Sequence, residues 1–507
     1  MICKPVQASR RLKTCSTFLM VIALATLLNS FSSYAQSHPK IYTKVVYSLP
    51  LTFDPIQMND TASTTAVNMI HEGLVKFNSS LEVVPALAKS WDIYSDGKTI
   101  TFNLHENAQF HNGGQVSSTD VVYSLKRAMS PMSKVASLYD SIIDLRSISK
   151  FVVEVKLKHA YPPILSILAG STAKILPEKL VNVKDFFIHP VGAGAFKFES
   201  IDKVKKQLKL AANKKYIGGS PHIDFLLLKE IPEADSVELA LKGKVDDLSN
   251  WPLSAKSNAF KVGRKITTPT SATWIIGLNT TKSPFNKKEI RQLFVQSINT
   301  DELRKNIFPD ALAAYGYIPY GLIGSKDIPD PKKILSKTTK PPKEKITIVV
   351  PEILQEGKAI KEFLEKDLRD DGWNVEVKLK AWDKIMDGYN KKLHQAFLVS
   401  MNMDYPDADF LLKSFESTNP DNFSGIKNNE IDQLIRTSRS SQDRGDREKL
   451  YFKALALVED ESVTVNLFHP RANYWISKCV EGFAPNILSD VYIDYSKISL
   501  KENCKRP

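Results

Sequence analysis

Residues Pro85 to Arg127 read PALAKSWDIYSDGKTITFNLHENAQFHNGGQVSSTDVVYSLKR and carry three elements in succession. Ser90–Tyr94 and Lys98–Leu104 are expected strands, and the Asp96-Gly97 pair between them is a two-residue hairpin signal. In the second strand Ile100, Phe102 and Leu104 alternate with Thr99, Thr101 and Asn103, so one face is buried. Ser118 or Thr119 is placed to cap a helix. The apolar positions of that helix, Val121, Val122, Leu125, Ala128 and Met129, share one face.

Outward from this unit, Phe151–Leu157 (FVVEVKL) is another alternating strand. Upstream, Ile41–Pro50 opens as a strand, which Leu51-Thr52-Phe53-Asp54-Pro55 breaks because a proline cannot donate to a ladder. Thr61–Gly73 follows as a helix, with Val67, Ile70 and Leu74 at helical spacing. Downstream, Ile346–Val350 is a strand and Lys358–Arg369 a helix with Ile360, Phe363, Leu364 and Leu368 on one face. Gly372 stops that helix, and Val375, Val377 and Leu379 mark the next strand. Strand, helix and strand in that order imply a parallel pair with a right-handed crossover. Asn429–Thr437 and Asp446–Glu459 are expected helices, and Val463–Phe468 a returning strand.

Ala396–Phe410, AFLVSMNMDYPDADF, starts as a strand and closes on the turn-forming cluster Asp404-Tyr405-Pro406-Asp407. An acid at the end of a buried strand is either a turn cap or a ligand group. Position favours the cap, although open α/β sheets do place their ligands at such carboxyl ends.

The N-terminal 35 residues read as an export signal. Lys4, Arg10, Arg11 and Lys13 form a basic start, Phe18–Leu28 an apolar run, and Ser33-Tyr34-Ala35 a small-residue cleavage site, so the mature chain is expected to begin at Gln36. The apolar run is far shorter than the ~20 residues that span a bilayer, and no cysteine follows it to carry a lipid. Cys3 and Cys15 leave with the signal. Cys479 and Cys504 remain, and in an oxidising compartment they are expected to pair.

The 507 residues are 43% hydrophobic and 25% charged, a soluble globular composition. The net charge of +13 invites a nucleic-acid partner. Its lysines, however, are scattered without interleaved aromatics; the densest patches are Lys203–Lys215 and Ser325–Lys345, and the second has seven Lys and four Pro. That is solvated basic surface, and no nucleic acid is expected. Nor does a catalytic set assemble. No Gly-x-Ser-x-Gly, Cys-x-x-Cys or Walker pattern occurs. His71-Glu72 lacks the second histidine of a metalloprotease helix, His105 and His111 make no ligand set, and Asp246-Asp247 reads as turn or surface acid. No metal or cofactor is expected.

Several of these runs together resemble one family. Leu87-Ala88, Ser90-Trp91, Asp96-Gly97, Phe102, Leu104, Phe110-His111, Gly113, Asp120-Val121 and Arg127 match the family 5 extracellular solute-binding proteins, the oligopeptide and dipeptide receptors of ATP-driven importers. So do His189–Lys197 (HPVGAGAFK), whose glycines permit a tight turn with positive φ, Asn213–Tyr216, Ile231–Asp247 and Gly277–Asp301. The resemblance runs from about Ile41 to Asn486. It implies an α/β fold of two lobes hinged by crossing strands, with an extra domain inserted in the first lobe. The expected boundaries are 1–35 signal, 36–76, 190–283 and 478–507 first lobe, 77–189 inserted domain and 284–477 second lobe.

It also implies a periplasmic, monomeric receptor that captures peptides between its lobes and hands them to an inner-membrane permease. In the family the acid before the tyrosine of the DYPD-like motif grips the peptide amine, which selects Asp404. Met401, Asn402, Met403 and Tyr405 beside it, and Leu51, Thr52 and Phe53 from the first lobe, become expected peptide-contacting residues, with Trp382 as a pocket wall or core residue. Two departures stand out: Met401 replaces a frequent Trp, and Asp407-Ala408-Asp409 replaces the usual continuation. The same resemblance covers receptors for non-peptide solutes such as metal chelates, glutathione or opine-like compounds. A peptide-handling chaperone without a transporter and an exported hydrolase are the readings outside it.

Overall fold

The structure is a computed structural model and describes residues 39–249, 261–326, 340–488, 490–502 and 504. The expected export signal at 1–35 and the centre of the lysine-rich Ser325–Lys345 stretch lie outside those residues.

In chain order, β1 (Ile41–Val46) and α1 (Thr61–Ile70) lead into β2 (Ala88–Ile93), β3 (Thr99–Leu104), α2 (Ser118–Ala128), β4 (Ile142–Ser149), β5 (Val152–Leu157) and α3 (Ile164–Ala169). Next come β6 (Phe196–Asp202), β7 (Gln207–Ala212), β8 (Phe225–Glu230), α4 (Glu233–Leu241), β9 (Asp247–Ser249) and β10 (Gly263–Pro269). A crossing leads to β11 (Ala272–Leu278), α5 (Lys288–Gln296), α6 (Thr300–Ile307), β12 (Leu312–Ala313), β13 (Ile346–Pro351), α7 (Gly357–Asp370), β14 (Val375–Lys380), α8 (Trp382–Asn390) and β15 (Ala396–Asn402). Helices α9 (Asn429–Ser440) and α10 (Arg444–Glu461) precede β16 (Thr464–His469), and a second crossing enters β17 (Arg471–Ser477).

Three main sheets result. The first has the order β6-β7-β8-β1-β9-β17-β10, the second β12-β16-β11-β15-β13-β14, and the third β2-β3-β5-β4. The first sheet collects strands from the start, middle and end of the chain. Only two short segments join it directly to the second: Thr270-Ser271 between β10 and β11, and Pro470 between β16 and β17. They are stitched together where they cross, because the Thr270 N–H and Oγ1 both donate to the Pro470 carbonyl at 3.1 Å.

The local reasons are those the sequence carries. In β3 every second residue is buried, and Ile100, Phe102 and Leu104 fill the third sheet's core. Helix α2 is capped one residue earlier than expected. Ser117 forms a capping box with Asp120, whose carboxylate accepts the Ser117 N–H at 2.9 Å. Helix α7 buries Ile360, Leu364 and Leu368, and Gly372, at φ +86°, lets the chain turn into β14. Strands β13 and β14 are parallel, as their intervening helix requires.

Three local expectations need correcting. Helix α1 ends at Ile70, and Glu72-Gly73 instead pairs with Lys174-Ile175. Asp246 and Asp247 are buried: Asp246 accepts the Thr43 N–H at 2.9 Å, and Asp247 takes the Tyr42 hydroxyl at 3.1 Å and the buried Lys44 ammonium at 3.2 Å. Gly192 and Gly194 do not adopt positive φ. They are glycines because the chain passes against the end of α1, where a Cβ on Gly194 would stand 2.5 Å from the Met69 carbonyl oxygen.

Cys479 and Cys504 form the expected disulfide, with Cα atoms 5.5 Å apart. Beside it Val480-Glu481 pairs with Ser499-Leu500, so bridge and ribbon together hold the C-terminal tail.

Candidate functional site

Strand β15 runs between β11 and β13, but its two sides differ. Against β11 it is paired along its whole length, from Ala396 to Asn402. Against β13 only Ala396 and Phe397 are paired. From Leu398 onward one backbone edge therefore has no ladder partner among the described residues. The strand then delivers the chain to Met403, whose N–H donates to the Ser271 carbonyl at 3.0 Å and whose carbonyl accepts the Ser271 hydroxyl at 3.2 Å. The end of β15 is thus tied to the crossing segment, at the carboxyl ends of the parallel strands.

Three acids follow within six residues, and their surroundings sort them. Asp407 is buried, takes the Tyr451 hydroxyl at 2.7 Å, pairs with Arg447, and caps the next turn by accepting the Asp409 N–H at 3.1 Å. Asp409 is buried and takes Arg439 Nε at 2.7 Å and the Tyr161 hydroxyl at 2.9 Å. Asp404 has no hydrogen-bond or ion-pair partner among the described residues and is open to solvent. The turn is therefore capped by Asp407. The protein mass around Asp404 nevertheless desolvates it and raises its carboxyl pKa, against the opposing pull of Lys413. Asp404 is thus reachable by solvent yet crowded enough by protein to lose part of its hydration. The Asp404 charge is also felt by Tyr492, from the C-terminal segment that returns past the first sheet.

The other expected residues divide. Asn402 is exposed and Met401 half-buried, whereas Met403 and Tyr405 are buried. The Tyr405 ring packs edge-on against Phe410 at 5.1 Å, and its hydroxyl approaches Asp409 at 3.4 Å. Leu51 is 78% exposed, and its N–H and that of Thr52 donate to Ser63 Oγ at 2.9 and 3.2 Å. Phe53 fills the first sheet's core, edge-on to Phe198. Trp382 opens α8 and is 44% exposed. No hydrogen bond or ion pair among the described residues joins Leu51–Phe53 to Met401–Tyr405.

His71 is fully buried, and burial next to His111 and Lys174 pushes its pKa down to about 3. Its neighbour Glu72 accepts from Tyr216 and faces Lys174 at 3.9 Å. Among the described residues no cluster of His, Cys, Asp or Glu could hold a metal ion. No helix among them is long and apolar enough to cross a membrane.

Sequence reasoning missed a recess of about 420 Å³ on the first sheet's side. Tyr47, Asp60, Ser249, Thr270, Arg471 and Tyr474 line it, at the carboxyl ends of the parallel strands β1 and β9 and at the crossing. The crossing residues carry no motif, and only the meeting of β10–β11 with β16–β17 brings them to a cleft.

Comparison with known proteins gives the same geometry a lineage. The chain is 25% identical over 503 residues to probable di/tripeptide-binding protein 5 of Pseudomonas aeruginosa, covering 89% of this chain and 94% of that one. HbpA2 from Haemophilus parasuis superposes with a TM-score of 0.82 at 19% identity, over 91% of this chain and all of that one. DppA from Helicobacter pylori, solved with the peptide STSA, superposes with a TM-score of 0.72 at 22% identity, over 91% and 98%. The architecture is thus the two-lobed binding-protein fold with crossing hinge strands. The family profile described as "Bacterial extracellular solute-binding proteins, family 5 Middle" matches residues 82–423, and the chain belongs to that family.

Proposed function

We propose that this protein is a monomeric periplasmic receptor that closes two lobes over a peptide, pairs the peptide's amine with Asp404, and delivers it to an ATP-driven permease in the inner membrane. The observation that carries this reading is the contrast among the three acids. Asp407 and Asp409 are saturated by Arg447, Tyr451, Arg439 and Tyr161, whereas Asp404 is solvent-reachable, partly desolvated and unpaired among the described residues. A carboxylate that lobe closure would bury without a partner is costly, and a ligand ammonium is the charge that removes the cost.

The free edge of β15 beyond Phe397 supplies donors and acceptors that hold an extended backbone without reading its side chains. We assign the first lobe to 36–76, 190–283 and 478–507, the inserted domain to 77–189 and the second lobe to 284–477. The P. aeruginosa relative is named for di- and tripeptides and the H. pylori structure holds one peptide, which supports a peptide as the solute.

Trialanine and N-acetyl-trialanine, titrated into the wild type and Asp404→Asn, test the reading. Removing one partner of a buried pair costs about 3–5 kcal/mol, roughly a hundred- to several-thousand-fold in affinity. The retained amide oxygen of Asn puts the variant near the lower figure. Acetylation should weaken the wild type strongly and the variant much less, the non-additivity of a direct pair. Equal losses in both proteins would end the amine assignment and bring a non-peptide solute forward.

A further inference from the structure

Arg471 is the first residue of β17, paired across the sheet with Pro269 at the point where the two crossing segments meet. Its side chain is exposed and makes no hydrogen bond or ion pair with any described residue. It opens onto the 420 Å³ recess beneath the carboxyl ends of β1 and β9. The other cation lining that recess, Lys44, is held by Asp247 at 3.2 Å. The acid lining it, Asp60, caps α1 by accepting the Ser63 N–H at 2.8 Å and forms no ion pair with Arg471. A guanidinium left open in a cleft is suited to a planar, two-oxygen partner, which it binds through parallel N–H donors.

The register places this group relative to Asp404. Met403 donates to Ser271 at 3.0 Å and Thr270 donates to Pro470 at 3.1 Å, so one crossing segment separates the two backbones. Two strand spacings come to about 10 Å. One extended residue advances a chain by about 3.3–3.6 Å, and the Asp and Arg side chains bridge the rest. A carboxylate on the residue whose amine sits at Asp404, or on the next one, falls within reach.

We propose that Arg471 receives a carboxylate of the ligand, carried by its first or second residue, and so sets specificity at the hinge end of the cleft. The proposal rests on the peptide reading above. Two sources present the same chemistry: an acidic side chain on the first residue, or the terminal carboxylate of a dipeptide. While the cleft is open, water screens the guanidinium and the pair contributes little. Closure removes that water and makes it selective.

The test is calorimetric titration of wild type, Arg471→Gln and Arg471→Lys with glutamyl-alanine, glutaminyl-alanine and glutamyl-alanine amide, with thermal melts to confirm folding. The wild type should prefer one free acid over its neutral amide by roughly ten- to a hundredfold. Arg471→Gln should abolish that preference, and Arg471→Lys, which keeps charge but loses the fork, should retain part of it. Loss of the glutamyl over glutaminyl preference identifies the side chain as the source. Loss of the free-acid over amide preference identifies the terminus. If both preferences are the same in wild type and Arg471→Gln, or absent from both, the assignment is overturned, while an acetylation penalty that persists in both proteins leaves Asp404 standing. If no peptide binds even the wild type, the peptide reading falls and this assignment with it.

Discussion

Tyr161, in the loop between β5 and α3, donates a 2.9 Å hydrogen bond to Asp409, which opens the short helix after the Asp404 turn 248 residues later. Asp409 also takes Arg439 Nε at 2.7 Å, and Arg439 reaches Glu416 at 3.2 Å. Burial works against the Arg439 charge, but the Asp409 and Glu416 carboxylates outweigh it and hold the guanidinium pKa above its ordinary value. The network fastens the stretch that carries Asp404 to the third-sheet region.

Arg439→Ala leaves Asp409 buried without its cation, and the expected loss is about 3–5 kcal/mol of unfolding free energy. Tyr161→Phe removes one bond to a charged acceptor, a loss of about 1.5 kcal/mol, softened because the Tyr405 hydroxyl lies 3.4 Å from the same carboxylate oxygen. Urea unfolding of both variants checks the order. A Tyr161→Phe loss equal to that of Arg439→Ala would mean the hydroxyl, and not the ion pair, holds Asp409.

Gly192→Ala should destabilise by about 1–3 kcal/mol or more, the cost of forcing extra atoms into a packed site. The obstacle is backbone: the new methyl would collide with the Ile70 carbonyl oxygen at the end of α1. That end is already committed, since the Gly194 N–H donates to the same oxygen at 2.9 Å. A melting temperature unchanged by the substitution would show that α1 can move aside.

Periodicity made the fold largely legible. The β2–β3–α2 unit and the β13–α7–β14 unit each show one apolar face at the right spacing, and both form within a few residues of expectation. The clearest signals were local ones, such as the hairpin at Asp96-Gly97 and the stop at Gly372. What periodicity cannot carry is partnership at long range. Asp246 and Asp247 look like surface acids because their partners Thr43, Tyr42 and Lys44 lie some 200 residues earlier.

The site was legible in part for the same reason. Asp404 could be singled out by the family resemblance, since its place at the end of a strand favoured a turn cap, but its isolation could not. That isolation depends on Arg439, Arg447, Tyr451 and Tyr161 claiming the neighbouring acids. Arg471 was invisible, because a lone arginine after a proline carries no signal until the two crossings are brought together.

Reducing the Cys479–Cys504 bridge should lower stability by roughly 3 kcal/mol, the chain-entropy figure for a closed loop of this size. Cys504→Ser should match the reduced wild type. Chemical unfolding with and without reductant measures both. A wild type insensitive to reductant would show that the Val480-Glu481 and Ser499-Leu500 ribbon holds the tail without the bridge.

Asp404 gives a prediction whose sign can be worked out. Desolvation raises its carboxyl pKa in the folded, ligand-free protein, and Lys413 only partly opposes this. A raised carboxyl pKa means that the folded state holds the proton more tightly than the unfolded chain. Its stabilising contribution is present below the unfolded pKa and is lost as pH rises through the folded value. Above its folded pKa the ionised Asp404 is therefore a burden on the empty receptor. Asp404→Asn should leave ligand-free stability within about 0.5 kcal/mol of the wild type or slightly above it. A bound ammonium reverses the balance by favouring the carboxylate, which lowers the pKa in the complex. Affinity for trialanine must then fall as pH drops through the free receptor's Asp404 pKa, and binding in that range must release a proton. Calorimetry in buffers of different ionisation enthalpy counts that proton. Asp404→Asn should lose both the acidic limb of the affinity profile and the proton release, while the limb set by the ligand's own amine, near pH 8, stays in both proteins. Identical acidic limbs in the variant and the wild type would place the titrating group elsewhere and remove Asp404 from the amine site.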